Sequence, residues 1–370
     1  MAHKSLVNGT AYNITGGKSM VSGTTYNIRS GRTMIGGTGY DILFTLPMYA
    51  MLYTDNSFVV QLGNKVTEGK TLSNSYKIPY NIEYTSYGVR PWYSKRNNIS
   101  NVSFEGELIE PFSLSYWFSG CKNLKKVESG NVTNLITNMH NTYYNCQNLT
   151  GSPVCGDNVT NMFGTYYYCR NLTGSPVCGN NVIDMYSTYY NCQNLIGSPV
   201  CGNNVTNMEG TYYNCYNLTG SPVCGDNVTS MYCTYHYCYN LIGSPVCGSK
   251  VTNMCSTYYN CKNLTGSPVC GNNVTDMSDT YHYCYNLIGS PVCGSKVTNM
   301  YSTYSGCYRL TGSPVCGNNV TNMEGTYYNC QNLTGFPVCS DYITSMFWTY
   351  YNCFRLTGSP VCGNNVTNMR

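Results

Sequence analysis

The chain has 370 residues, of which only 10% are charged, while 39 are Tyr and 23 are Cys. With four His and 16 carboxylates, the raw material for acid–base catalysis is thin. A formal charge of +4 is too weak and diffuse for a nucleic-acid surface.

The first 44 residues carry a 14-residue repeat. Tyr12, Tyr26 and Tyr40 sit in three copies, 7–14, 21–28 and 35–42, each built on a Gly-Thr-x-Tyr core. Apolar alternation broken by Asn-Gly and Gly-Gly reads as successive β-hairpin strands. So small a region can hardly bury a core alone, so it is expected to anchor or assemble on partner chains. Residues 45–90, with apolar stretches at 49–53, 57–61 and 80–84, are expected to form a small β linker domain. Residues 91–138 are expected to flank the solenoid and hold a divergent first copy at Phe118 and Cys121.

From residue 139 the chain is periodic. Cysteines fall every 23 residues from Cys146 to Cys353, and again from Cys155 to Cys362; Met139, Met162 and Met185 start a methionine series with the same step. A fixed step of this size predicts a β-rich, leucine-rich-repeat-like solenoid over 139–370, about ten coils with short helical or 3-10 turns. Residues 139–370 hold seven basic and eight acidic residues, so the net charge lies upstream.

Comparing the copies separates core from surface. Tyr143, Cys146, Leu149 and Cys155, then Tyr166, Cys169, Leu172 and Cys178, barely change and are expected to stack as core ladders. The second aromatic place varies, and so do the two places after Met, which reads as exposure to solvent. The candidate recognition surface is Tyr144, Phe163, Tyr167, Tyr186, Tyr190, Tyr213, Tyr232, Tyr259, Tyr301, Tyr328, Phe347, Trp348 and Tyr351. Tyr and Trp give a large contact area with a polar tip at low entropic cost.

The unit Val205-Thr206-Asn207-Met208 through Leu218, V-T-N-M-x-x-T-Y-Y-x-C-x-N-L, resembles the BspA-like leucine-rich repeats of bacterial surface proteins, including the mycoplasma lipoprotein subtype. There Met-Phe stands where Thr-Tyr stands here, which implies that the first Tyr is buried. The resemblance covers 91–370 and implies adhesion or recognition rather than catalysis. The N-terminal glycine-rich repeats resemble N-terminal segments of structural proteins from bacteriophages of gut Firmicutes.

The cysteines alternate at spacings of 9 and 14 with no C-x-x-C, which argues against zinc. Buried thiol ladders are expected, with disulfide rungs as the alternative; Cys233 and Cys255 break the pattern at places read as exposed. The Asn-x-Thr sequons, such as Asn158-Val-Thr160, fall at periodic turn positions and read as structural. His140, His236 and His282 lie on the variable face without paired carboxylates.

No catalytic residue, cofactor or metal is expected. MAHKSLVNGTAYNITGG has no apolar h-region of a secretory signal, and no apolar run reaches the roughly 18 residues of a membrane span. The expectation is a non-enzymatic bacteriophage virion protein, a fibre or decoration assembled in the bacterial cytoplasm. Residues 1–44 would join other virion proteins, the chain would self-associate as a homo-oligomer, and the solenoid would meet a host cell-surface glycan or protein. The alternatives are a bacterial cell-surface adhesin and a purely structural self-assembling subunit. No nucleic-acid partner or membrane insertion is expected.

Overall fold

The computed structural model describes the backbone of residues 3–7, 10–14, 18–21, 24–28 and 44–45. It describes backbone and side chains of 47–79, 82–86, 88–105, 112–128, 134–337, 339–359 and 363–369. The third N-terminal copy at 35–42, parts of the stretch at 80–84 and Cys362 lie outside the described residues.

β1 (His3–Val7) pairs antiparallel with β2 (Thr10–Ile14), and β3 (Lys18–Val21) pairs antiparallel with β4 (Thr24–Ile28). β4 also meets β5 (Phe44–Thr45). A five-stranded sheet follows, formed by β6 (Met48–Tyr53), β7 (Ser57–Leu62), β8 (Leu72–Ile78), β9 (Asn101–Glu105) and β11 (Lys126–Glu128), in the order β11-β9-β7-β6-β8. β6 and β7 are nearly continuous apolar runs, and both are buried over most of their length. The hairpin between them closes at Asn56, whose φ of 65° is a left-handed conformation that Asn tolerates. β7 pairs in parallel with β9, and β9 with β11. The sheet therefore runs across the boundary expected between residues 90 and 91. Parallel partners 44 residues apart, as Ser57 and Asn101 are, leave no local signal.

One buried core extends without a break from Met48 to Met346. At its N-terminal end Trp92 and Trp117 pack edge to face at 5.4 Å, and Phe58 lies 5.3 Å from Trp92. The buried Arg90 guanidinium donates to the carbonyls of Tyr116 and Ser119. β10 (Phe112–Ser113) pairs in parallel with β12 (Ile136–Asn138) and opens the stacked region.

Beyond it, single β-bridges join Asn138 to Asn161, Asn161 to Asp184, and so on to Ser345 and Asn368, always 23 residues apart. The stretch after each Met is not helical. In its place stand two consecutive tight turns: Thr142 N–H donates to Met139 O at 3.0 Å and Cys146 N–H to Tyr143 O at 3.0 Å. The third residue of each turn is left-handed, with Asn141 at φ 50° and Asn145 at φ 60°. A positive φ at that place is the signature of a type II turn and breaks any helix. The left-handed geometry leaves alternate N–H groups free to point along the stack. Met139, Asn141, Tyr143 and Asn145 donate to the carbonyls of Asn161, Phe163, Thr165 and Tyr167 in the next coil, at 2.6–2.9 Å.

This corrects one surface assignment. The second place after Met varies among Gly164, Ser187, Gly210, Cys233, Ser256, Asp279 and Ser302 because it is left-handed in every one of these copies. Ser187 and Ser302 there are buried. Backbone handedness constrains this place together with exposure, since Trp348 there is also left-handed and is half exposed. Cys233 and Cys255 are half-buried rather than exposed.

Candidate recognition face

The interior shows which side chains are free to act elsewhere. In each coil the buried Thr hydroxyl donates to Met carbonyls, as Thr165 does to Met139 O and Met162 O at 2.8 Å. The Cys thiol donates to the preceding coil's Tyr carbonyl, as Cys169 Sγ does to Tyr143 O at 3.1 Å. The Tyr hydroxyl crosses the coil to the segment after Pro. Tyr166 Oη accepts from Val154 N and donates to Val154 O, both at 2.8 Å. Among the described residues Val154 N–H and C=O have no backbone partner, so a ring without a hydroxyl would leave both without a protein partner. The invariant polar letters of the repeat are thus committed to backbone.

Tyr143, Cys146, Leu149, Tyr166, Cys169 and Leu172 are buried, whereas Cys155 and Cys178 are half-buried against the core. The described cysteines are free thiols. Burial pushes the Cys146 thiol well above its usual range and the Cys155 thiol up to about 12. Such thiols are poor nucleophiles at neutral pH. Among the described residues no group of three or more His, Cys, Asp or Glu is arranged to hold a metal ion, and no helix is long and apolar enough to cross a membrane. The sequon side chains belong to the ladder: Asn158 Nδ2 donates to Asn134 O at 2.6 Å, and Thr160 Oγ1 to Thr137 O at 3.4 Å.

The inner rings stack from Phe118 to Tyr350, with centroids 5.3–5.7 Å apart. A second, outer row stacks more tightly. Tyr144, Tyr167, Tyr190, Tyr213, His236 and Tyr259 follow one another at 4.4–4.8 Å. Tyr328 and Tyr351 resume it at 5.2 Å, after Ser305 interrupts it. Tyr144, Tyr167, Tyr190, Tyr213, Tyr259 and Tyr328 are therefore half-buried. Their ring faces cover one another, so they offer edges and hydroxyls rather than the open faces expected of them.

The row directly after Met behaves differently. Phe163 is half-buried, packs tilted against His140 at 4.7 Å and stacks on Tyr186 at 4.8 Å. Tyr186, Tyr232 and Tyr301 are exposed, at 36%, 44% and 40%. Phe347 stacks on Trp348 at 4.4 Å, and Trp348 and Tyr351 are each half exposed. A third aromatic row, missed in the sequence, follows the first Cys: Tyr216 stacks on Tyr239 and Tyr285 on Tyr308, each at 5.1 Å. Its signal was the variation after that Cys, masked by Gln, Arg and Lys in other copies.

His236 is held between Tyr213 and Tyr259 with its Nδ1 buried and unpartnered. Burial lowers its pKa to about 4, so it is neutral at pH 7. His282 meets Asp279 at 2.7 Å.

The comparisons with known proteins agree with this architecture. Residues 112–222 match the family model described as a Mycoplasma protein of unknown function, DUF285. A leucine-rich repeat protein from Bacteroides ovatus is 11% identical, with a TM-score of 0.52 over 89% of this chain and 90% of that one. A leucine-rich repeat protein from Eubacterium ventriosum is 14% identical, with a TM-score of 0.44 over 87% of this chain and 90% of that one. A leucine rich cell surface protein from Faecalibacterium prausnitzii is 14% identical, with a TM-score of 0.35 over 90% of this chain and 96% of that one. No curated protein matches the sequence. The chain has a leucine-rich-repeat fold of the kind found in proteins of gut bacteria.

Proposed function

We propose that the chain is a non-enzymatic recognition arm carried on a bacteriophage particle. About ten 23-residue coils would project as a rod, and residues 1–44 would hold the chain to other virion proteins and to copies of itself. One observation carries the reading. The repeated hydroxyls and thiols are bound to backbone from coil to coil, which leaves the varying outer letters as the groups able to touch a partner. Catalysis would need a singular, activated group, whereas here each candidate is duplicated and its proton is already engaged.

Two features support the setting on a particle. The N-terminal repeats resemble those of phage structural proteins, and long rows of free, buried thiols suit folding in a reducing cytoplasm. Immunogold electron microscopy of purified particles tests the placement: label on tails or capsids is expected, and particles without label would overturn it. Binding of the full chain to host cells tests recognition.

The second reading is a bacterial cell-surface adhesin, supported by the resemblance of the 23-residue unit to the BspA-like repeats of bacterial surface proteins. It predicts the chain in the cell-envelope fraction of uninfected bacteria.

A further inference from the structure

One cleft of about 360 Å³ opens on the variable face, between Tyr186 and Tyr232, with Tyr190, Glu209, Tyr213 and His236 among its walls. It lies where the row after Met changes character. Upstream, each ring in that row covers the next, as Phe163 covers Tyr186. After Tyr186 the next coil supplies Glu209 instead of a ring, and the following coil supplies Tyr232. Two coil steps of about 4.8 Å separate the two tyrosines. With Glu209 in the intervening coil in place of a ring, a group seated beside its carboxylate lies about 5 Å from each ring, inside the roughly 6 Å reach of a cation–π contact. Gly210 follows Glu209 in the left-handed turn position, at φ 59°, so no side chain fills the floor there.

The charge of the cleft selects the ligand. Glu209 Oε1 accepts a hydrogen bond from Ser230 Oγ at 2.6 Å, and no Lys or Arg is among the described residues lining the cleft. Burial keeps the His236 imidazole uncharged at neutral pH, so it does not oppose a positive ligand. An unpaired carboxylate among electron-rich ring faces repels anions and favours cations. A neutral sugar would leave the carboxylate without a counter-charge.

We propose that this cleft binds an organic ammonium group, gripped by Tyr186 and Tyr232 and neutralised by Glu209. The proposal rests on the reading of the outer rows as a recognition face. It narrows the partner to one bearing a choline-type quaternary ammonium, because the cleft offers ring faces and a single carboxylate already bonded to Ser230 rather than the several acceptors a primary ammonium needs.

Isothermal titration calorimetry of the full chain with choline, and separately with an acetylated lysine methylamide, tests it. Each is set against a neutral counterpart, the isostere 3,3-dimethylbutanol for choline and the ε-acetylated amide for lysine. Saturable binding of choline, at least tenfold tighter than its isostere, is expected; a preference for the lysine amide would overturn the quaternary ammonium and assign the site to a protein partner. Glu209→Gln, which keeps size and fold, is expected to weaken that binding about tenfold, and Tyr232→Ala about fivefold. Equal binding of cation and isostere, or none of either, would overturn the cage. So would cation binding unchanged in Glu209→Gln. Host-cell binding measured on the same variants separates the two levels. A chain that holds cells but ignores both cations keeps its recognition role and loses this site. A chain that binds a cation but no cells keeps the site and loses the host.

Discussion

Each Thr-Tyr-Tyr places two tyrosines side by side in sequence, and the fold sends them to opposite fates. The inner Tyr212 is fully buried, its ring stacked at 5.5–5.6 Å and its hydroxyl bound to both polar groups of Val200. The outer Tyr213 is half-buried, stacked at 4.4 and 4.6 Å on Tyr190 and His236. The inner position keeps Tyr because ring volume and hydroxyl are both required. The outer position admits His236, which keeps the stack, and Ser305, which interrupts it. Invariance across the copies tracks hydrogen bonding to backbone more closely than it tracks stacking.

The largest test of that contrast is truncation. Tyr212→Ala is expected to destabilise the fold by about 4 kcal/mol, and Tyr213→Ala by about 1 kcal/mol, measured by thermal melts followed by circular dichroism. Equal losses would mean that the outer stack bears as much of the stability as the inner one. Removing only the hydroxyl sharpens the point. Tyr212→Phe leaves Val200 N–H and C=O without a partner and is expected to lose about 2–3 kcal/mol, whereas Tyr213→Phe should melt within a degree or two of the parent.

These contrasts also show what the letters alone disclosed. The 23-residue step and the division into constant and varying positions were visible, because a stack repeats its contacts at the interval of its chain. The donor role of Cys169 was not, since a buried thiol and a small apolar side chain look alike in sequence. Nor was the handedness of the place holding Gly164, Ser187 and Asp279, where variation looked like exposure. The pairing of β7 with β9 has no local trace. The closed ring faces of Tyr167 and Tyr190 follow from coil spacing, which makes a row of aromatics its own cover.

Acidification separates the rows in another way. His236 has a folded pKa of about 4 against an ordinary 6.5 because its site is desolvated. The unfolded chain therefore binds the proton more readily in that window, and stability falls as pH drops from about 6.5 toward 4. With partial solvent screening the loss is about 1–2 kcal/mol. His236→Tyr, which matches the other copies, should flatten the melting temperature over that range. A slope unchanged in the variant would place the proton elsewhere.

The smallest expected effect lies in the turn between the rows. Ser302 is left-handed at φ 49°, where other copies have Gly164, Gly210 and Gly325. Ser302→Gly relieves that conformation and is expected to raise stability by about 0.5 kcal/mol, the relief being partly offset by glycine's greater freedom when unfolded. A lower melting temperature would show that the Ser302 side chain itself supports the turn.

The direction of the coil-to-coil bonds has an electrical consequence. In the paired turns the ladder N–H groups all point toward the C-terminal coils and the carbonyls toward the N-terminal ones. Within these turns the dipoles add along the stack as they do in a helix, though with the chain sense reversed, and the bonds of the other side, such as Thr160 N–H to Thr137 O and Thr173 N–H to Gly151 O, oppose them in part. The negative pole falls at the first turns, and there the buried guanidinium of Arg90 meets the carbonyls of Tyr116 and Ser119. Arg90 thus sets a buried positive charge against the carbonyl end of the first turns, where the turn dipoles place their negative pole.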